Sequence, residues 1–186
     1  YIRILPELQA VVGYTTKNCG GVPENFRNWF VIRFDKAFES MMLYDGPEKG
    51  IGEALEFEGE HVLASVGFRT RRNETVNVRT ASSFISLEQA WLNLEEVGEK
   101  SFDEVTADAK DRWNEVLSHI QVGGGSEEQF RTFYSCLYRA TLFPRKFYEI
   151  GPDGKAYHYS PYNGKVCEGY LYTDTGFWDT FRALFP

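Results

Sequence analysis

The hydrophobic period of the chain changes within Phe84-Ile85-Ser86-Leu87-Glu88-Gln89-Ala90-Trp91-Leu92-Asn93-Leu94-Glu95. Apolar residues recur at helical spacing from Leu87 to Leu94, and Ser86 stands where a side chain can cap the first turn. The stretch therefore predicts the start of a helical region. It divides the chain into an upstream part and a downstream part with different patterns.

Upstream of this stretch, four segments are rich in β-branched and aromatic residues with partial alternation, a pattern typical of strands. These segments are residues 28–34, 54–58, 62–68 and 75–79. Turn residues separate them at Asp45-Gly46-Pro47, at Gly50 to Gly52 and at Arg72-Asn73-Glu74. The spacing favours an antiparallel β-sandwich over a parallel sheet with crossover helices.

Downstream, two capping boxes predict two further helices, at Ser101-Phe102-Asp103-Glu104 and at Ser126-Glu127-Glu128-Gln129. A glycine break at Gly123-Gly124-Gly125 separates them, and Pro144 ends the second. The first carries an apolar stripe of Phe102, Val105, Ala109, Trp113, Val116, Leu117 and Ile120. The second carries Phe130, Phe133, Tyr134, Leu137, Tyr138 and Leu142. Strands followed by helices indicate two architectures in one chain.

Composition excludes several classes of protein. With 186 residues, 42% of them hydrophobic, the chain is too apolar to be disordered. Its net charge of −7 and the lack of a basic cluster beyond Arg69, Arg71 and Arg72 argue against a nucleic-acid partner. No run approaches the roughly 20 apolar residues of a membrane span. The three cysteines and three histidines lack metal-ligand spacing, so we expect the cysteines to be buried as small hydrophobes.

After residue 147 the chain is irregular and aromatic, with turn signals at Pro152-Asp153-Gly154 and Asn163-Gly164. The aromatic residues there are Tyr157, Tyr159, Tyr162, Tyr170 and Tyr172. Tyrosine faces can stack on the apolar faces of sugars, or they can simply pack the loops. Composition leaves both interpretations open.

The most specific segment is Thr173-Asp174-Thr175-Gly176-Phe177-Trp178-Asp179-Thr180-Phe181-Arg182-Ala183-Leu184, called the signature segment below. It resembles the Trp-Asp-Thr-Phe-Arg signature of glycoside hydrolase family 92, the calcium-dependent exo-acting α-mannosidases. Residues 133–144 resemble that family's first barrel helix, and the Asp153-Gly154-Lys155 turn follows in the same order. Residues 84–95 resemble the passage from its sandwich to its linker helices.

This resemblance implies an α+β, multidomain fold: an antiparallel β-sandwich, then linker helices, then the beginning of an (α/α)6 barrel. The implied boundaries are residues 1–85 for the sandwich, 86–124 for the linker and 125–186 for a truncated barrel. The resemblance also implies calcium as cofactor, inverting hydrolysis of mannosides, and export to the periplasm, the cell surface or the medium. The family's general acid and general base lie further downstream, so neither matches a residue here.

Three residues of the signature segment are the candidate substrate contacts: Trp178, Asp179 and Arg182. An indole can cover the apolar face of a sugar while the neighbouring carboxylate accepts hydrogen bonds from hydroxyls. Asp179 can instead cap the helix that follows it, and Arg182 can pair with Asp179 or Asp174. Asp174 and Glu168 are weaker candidates. Tyr134 and Tyr138 lie on an apolar stripe, which favours packing over ligand contact.

Two classes of function follow. The chain is either part of an exo-α-mannosidase that acts on glycans, or a non-catalytic module that binds carbohydrate or assembles with another subunit. Another (α/α)6 sugar enzyme, such as a trehalase-like hydrolase, shares the architecture but not the signature segment. We expect residues 1–186 alone to be inactive and to behave poorly in solution. We expect the apolar face of the second capped helix to be covered by the sandwich, by missing chain segments or by a second copy of the protein.

Overall fold

The structure of the protein is a computed structural model that describes residues 1–173. The chain divides into two compact units. The first unit contains Tyr1–Gly98 and Glu149–Gly169, and the second contains Glu99–Tyr148 and the segment that begins at Tyr170. Across residues 1–173, no helix has both the length and the apolar character that a membrane crossing requires.

The first unit opens with eight strands and one helix, followed later in the chain by a three-stranded meander. In chain order these elements are β1 (Ile2–Leu5), β2 (Ala10–Thr15), β3 (Asn28–Phe34), β4 (Ser40–Asp45), β5 (Lys49–Gly50), β6 (Glu56–Phe57), β7 (Val62–Gly67), β8 (Val78–Ser83) and α1 (Leu87–Leu94). The second unit then contributes α2 (Phe102–Leu117), α3 (Glu127–Ala140) and β9 (Arg145–Lys146). The meander consists of β10 (Glu149–Ile150), β11 (Ala156–Tyr159) and β12 (Val166–Glu168), and β13 (Tyr172–Thr173) follows in the second unit.

Two antiparallel sheets form the predicted β-sandwich. One has the strand order β6-β1-β2-β3-β8 and the other the order β5-β4-β7. The buried side chains Ile4, Val11 and Leu43 form the core between them, and aromatic residues such as Phe30 and Phe34 pack around this core. Because strand residues alternate between the two faces, Val11 points into this core and its neighbour Val12 points away from it.

The other face of the five-stranded sheet is covered by α1. Val12 and Val31 of the sheet pack against Ala90 and Leu94 of the helix, and all four are buried. The helix begins as predicted, because the Ser86 hydroxyl accepts a hydrogen bond from the Gln89 amide at 3.1 Å. The sheet is therefore buried on both faces, which explains why β2 has hydrophobic residues at consecutive positions.

A polar network fastens the meander of β10, β11 and β12 to the sandwich side of the first unit. The Glu149 carboxylate accepts hydrogen bonds from the Phe84 amide at 2.9 Å and from Asn93 Nδ2 at 2.7 Å. Gln89, which is buried, donates to Asn93 Oδ1 at 2.9 Å and to the Ile150 carbonyl at 2.8 Å. Asn93 also donates to the Ser82 carbonyl at 2.9 Å. This network joins the end of β8, the helix α1 and the first strand of the meander.

The second unit contains the two predicted capped helices. Ser101 with Glu104 and Ser126 with Gln129 each form a complete capping box at the start of α2 and α3. The last predicted stripe residue of the first of these helices, Ile120, lies beyond its end at Leu117. The carbonyl of Ile120 instead accepts a hydrogen bond from the Tyr134 hydroxyl at 3.3 Å.

Three details of the strand predictions were wrong. The segment predicted at 75–79 is a strand only from Val78 and continues to Ser83. Its start is delayed because the Asp35 carboxylate binds the amide and side chain of Asn77, at 3.0 and 2.6 Å, and holds that residue in a loop. The strand predicted at 54–58 is reduced to Glu56–Phe57. The hydrophobic pattern did not predict Ile2–Leu5, Ala10–Thr15 or Ser40–Asp45.

The expectation of buried cysteines was also wrong. Cys19 and Cys136 are exposed and Cys167 is partly buried. Cys19 lies in the polar loop between Asn18 and Gly20, and Cys136 lies off the apolar stripe of α3. Neither position offers an apolar environment for a small hydrophobic side chain.

Candidate functional site

The predicted substrate contacts Trp178, Asp179 and Arg182, like Asp174, lie outside the described residues. The structure describes the signature segment at its first residue only. Thr173, the first residue of the signature segment, pairs with Arg145, and Tyr172 pairs with Lys146 in the two-stranded ladder of β13 and β9. This ladder fixes the backbone direction with which the chain enters the signature segment.

Three tyrosines surround this ladder in the second unit. The ring of Tyr148 meets the rings of Tyr170 and Tyr172 nearly edge to face, with centroids 4.8 and 5.8 Å apart. Lys146 Nζ lies 5.9 Å from the Tyr148 centroid, within cation–π range. Tyr170 is 69% exposed and Tyr172 is 53% exposed. Tyr170 and Tyr172 are thus exposed, and their contacts with Tyr148 hold the three rings in a defined arrangement, which we call the tyrosine cluster.

The tyrosine cluster is built by a local sequence pattern. In Arg145-Lys146-Phe147-Tyr148, the two basic residues form the short strand β9 and the two aromatic residues follow it. The Phe147 amide donates to the Leu171 carbonyl at 2.8 Å. The proximity of Tyr148 raises the pKa of the Tyr172 hydroxyl, and partial burial adds to the effect. The Tyr172 hydroxyl is therefore protonated at neutral pH and can donate a hydrogen bond. The sequence pattern pointed to Tyr170 and Tyr172 but not to Tyr148.

The weaker candidate Glu168 lies in the first unit and is engaged elsewhere. Its carboxylate accepts from Lys155 Nζ at 3.0 and 3.2 Å, and this hydrogen bond raises the pKa of Lys155. Among the aromatic residues of α3, Tyr138 packs edge to face on Trp113 of α2, with centroids 4.5 Å apart. The Tyr134 hydroxyl donates a hydrogen bond to the Ile120 carbonyl, just beyond the end of α2. Both tyrosines contribute to packing within the second unit.

Residues 1–173 contain no group of three or more His, Cys, Asp or Glu side chains placed to hold a metal ion. His158 and Cys167 are cross-strand partners in the meander. His158 Nδ1 lies 2.9 Å from the Gly169 carbonyl oxygen. The described residues do not by themselves fit a calcium ion, which prefers six to eight oxygen ligands.

Comparison with known families decides the identity of the chain. The family model of the Glycosyl hydrolase family 92 N-terminal domain matches residues 1–83. The model of the Glycosyl hydrolase family 92 catalytic domain matches residues 89–186, more than half of the chain. The chain belongs to glycosyl hydrolase family 92. The predicted resemblance to this family is thus confirmed, and so is the α+β fold class with a β-sandwich followed by the start of a helical domain.

Solved structures of family 92 proteins are similar over nearly the whole chain. The inverting mannosidase BT2199 from Bacteroides thetaiotaomicron VPI-5482 matches with a TM-score of 0.86 and 41% identity, over 97% of this chain and 25% of that protein. The α-mannosidase BT3965 from Bacteroides thetaiotaomicron matches with a TM-score of 0.77 and 24% identity, over 98% and 25%. The family 92 glycosyl hydrolase ccman5 matches with a TM-score of 0.79 and 17% identity, over 95% and 24%.

The last two structures are similar in fold alone, because their identity to this chain is low. A search of curated proteins found no match. The chain spans about a quarter of the length of the solved family 92 structures that it matches.

Proposed function

We propose that this chain is part of an exo-acting α-mannosidase that removes terminal mannose from glycans. The observation that carries the proposal is the pair of family matches over residues 1–83 and 89–186. The 41% identity to a structure described as an inverting mannosidase supports it further. The proposed organisation is a sandwich over residues 1–85, a helical linker over 86–124 and the start of an (α/α)6 barrel over 125–186.

Within this proposal, the signature segment supplies sugar contacts rather than the reacting groups. Trp178 would cover an apolar face of the terminal mannose, and Asp179 would accept hydrogen bonds from neighbouring hydroxyls. Arg182 would bind a hydroxyl or hold Asp179 in place. The tyrosine cluster presents accessible ring faces beside the entry to this segment, as expected near a sugar site.

Hydrolysis with inversion requires two carboxyl groups roughly 6.5–9.5 Å apart, one as general acid and one as the base that activates water. We assign neither role to a residue of this chain and propose that both come from later parts of the protein. Calcium is proposed as the cofactor of the complete enzyme. Because the described residues do not fit a calcium ion, we assign it no ligand and no step here.

The direct test uses the full-length protein and an aryl α-mannoside. We expect mannose release that is lost after chelation and recovered with added calcium, and NMR of the first product should show inversion of the anomer. Asp179→Asn should lower kcat/KM by about 10- to 100-fold, since it removes a charged acceptor whose hydrogen bonds are worth about 1.5–3 kcal/mol. Glu168→Gln is the matched control, because that carboxylate is engaged by Lys155.

Two outcomes would contradict parts of this proposal separately. Activity that is indifferent to chelation would refute the calcium requirement alone. Mannose release by residues 1–186 alone would refute the placement of the acid and base outside this chain.

Export to the periplasm, the cell surface or the medium is proposed as well, with a glycan or mannoside as the substrate. Fractionation of cells that express the full-length protein checks the location: activity confined to the cytosol would refute it. Association with a second copy is one way to cover the aromatic face of α3, and sedimentation of the full-length protein tests it.

A further inference from the structure

One end of the β-sandwich holds a cleft of about 680 Å³. Three segments line it: residues 15–17 at the end of β2, the turn at Gly46 and Pro47 after β4, and residues 58–61 before β7. The volume lies within the range of about 300–1,000 Å³ that is typical of small-molecule sites. Every residue of the cleft belongs to the first unit, and none belongs to the signature segment.

One side of the cleft is a fixed aromatic surface. The rings of Tyr1 and Tyr14 stack with centroids 5.5 Å apart and planes inclined by 26°. Trp29 supports Tyr14 edge-on at 4.7 Å, and the Arg27 guanidinium lies 5.0 Å from the Tyr14 centroid. Aromatic side chains that are already ordered lose little conformational entropy when a ligand binds.

Two hydroxyl–carboxylate hydrogen bonds hold these rings. The Tyr1 hydroxyl donates to Glu56 at 2.9 Å and the Tyr14 hydroxyl donates to Glu58 at 2.6 Å. The hydrogen bond with Glu58, together with partial burial, raises the pKa of Tyr14. Tyr14 is therefore neutral at physiological pH, and the Glu58 carboxylate retains lone pairs for a further donor.

Three further polar side chains of the cleft are open to a ligand. Within residues 1–173, the side chains of Lys17, Glu60 and His61 make no hydrogen bond or ion pair. All three are exposed. Glu58, Glu60 and Lys17 together carry a net negative charge, which disfavours an anionic ligand. The ligand that fits is neutral, has an apolar face for the tyrosines, and carries hydroxyls that both donate and accept.

We propose that this cleft is a second carbohydrate site, which binds a neutral oligosaccharide of pyranose units without hydrolysing it. A pyranose ring has an apolar face of C–H groups and a periphery of hydroxyls, as the cleft requires. The Tyr1–Tyr14 surface stacks on that face, Glu58 and Glu60 accept hydrogen bonds from hydroxyls, and Lys17 donates one. The site acts independently of the proposed mannosidase activity, and it would keep the protein close to polymeric substrate.

The test is calorimetric titration of the full-length protein with neutral tetrasaccharides of mannose, glucose and galactose, compared between variants. We expect Tyr14→Ala to weaken the binding of at least one of them by about two- to tenfold, the effect of losing one aromatic contact. Tyr14→Phe keeps the ring and should bind within about threefold of wild type. Lys17→Ala, at an exposed position that leaves the fold intact, should weaken the same saccharide by about two- to tenfold.

Tyr162→Ala is the matched control, because Tyr162 is 89% exposed on the turn between β11 and β12, outside the cleft. Equal affinities for wild type, Tyr14→Ala and Lys17→Ala with all three tetrasaccharides would overturn the proposal, as would weaker binding in Tyr162→Ala alone. Hydrolysis of the aryl α-mannoside should be the same in Tyr14→Ala and wild type. If the wild-type protein has no mannosidase activity but binds a saccharide more tightly than Tyr14→Ala does, the proposed function is refuted and this carbohydrate site stands.

Discussion

Replacement of Glu149 by alanine should weaken the attachment of the meander to the rest of the first unit. The change leaves the Phe84 amide and Asn93 Nδ2 without the carboxylate that accepts from them at 2.9 and 2.7 Å. Each donor that loses a buried acceptor costs about 1–3 kcal/mol. Because these hydrogen bonds are only partly buried, we expect a loss of about 2–3 kcal/mol in the free energy of unfolding.

The assay is denaturant unfolding of the full-length protein, with hydrogen exchange read out over residues 149–169. Glu149→Gln retains one acceptor oxygen and should lose about half as much stability. The matched control is Glu168→Ala, which removes an exposed carboxylate of the same meander that is paired with Lys155, and should cost less than about 1 kcal/mol. Equal stabilities of Glu149→Ala and Glu168→Ala, with unchanged protection of the meander amides, would refute the reasoning.

Three further substitutions test the core, a helix cap and an ion pair. Leu43→Ala empties a fully buried position between the two sheets and should cost about 2–5 kcal/mol by denaturant unfolding; a loss below 1 kcal/mol would contradict the sandwich core. Ser126→Ala removes the N-cap of α3 and should cost about 1 kcal/mol, seen as faster hydrogen exchange in its first turn but not in α2. Hydrogen bonds from Lys36 and from the Arg71 amide lower the pKa of Glu74. The ionised Glu74 therefore stabilises the folded protein above the pKa that it has in the unfolded chain, and this stabilisation is lost as the pH falls through the lower pKa of the folded state. Glu74→Gln should therefore unfold more easily than wild type at neutral pH and match it in acid, whereas a gap independent of pH would exclude the ion pair.

The helices of this chain could be predicted from sequence because their signals are local. Ser86, Ser101 and Ser126 each cap the helix that follows, as the spacing of their neighbours indicated. The strand β3 was predicted correctly from its aromatic and β-branched run. The order of strands in the two sheets depends on pairings between distant residues, which a local pattern does not contain.

The attachment of the meander and the position of the cleft could not be predicted from a local sequence pattern for the same reason. Glu149 is more than fifty residues away in sequence from its partners Asn93 and Phe84, and nothing near Glu149 in the sequence indicates either of them. The tyrosines of the cleft, Tyr1 and Tyr14, come together only through the pairing of β1 with β2. The predicted contacts Trp178, Asp179 and Arg182 stay predictions, since they lie outside the described residues.

The division of the first unit between Tyr1–Gly98 and Glu149–Gly169 has a consequence for how the protein is made. A ribosome synthesises the chain from its N-terminus at about 5–20 residues per second. The sandwich and α1 therefore leave the ribosome several seconds before the meander, while residues 99–148 are still being added. During this interval Gln89 lacks the Ile150 carbonyl and Asn93 lacks the Glu149 carboxylate. The surface that the meander will cover is then open to chaperones.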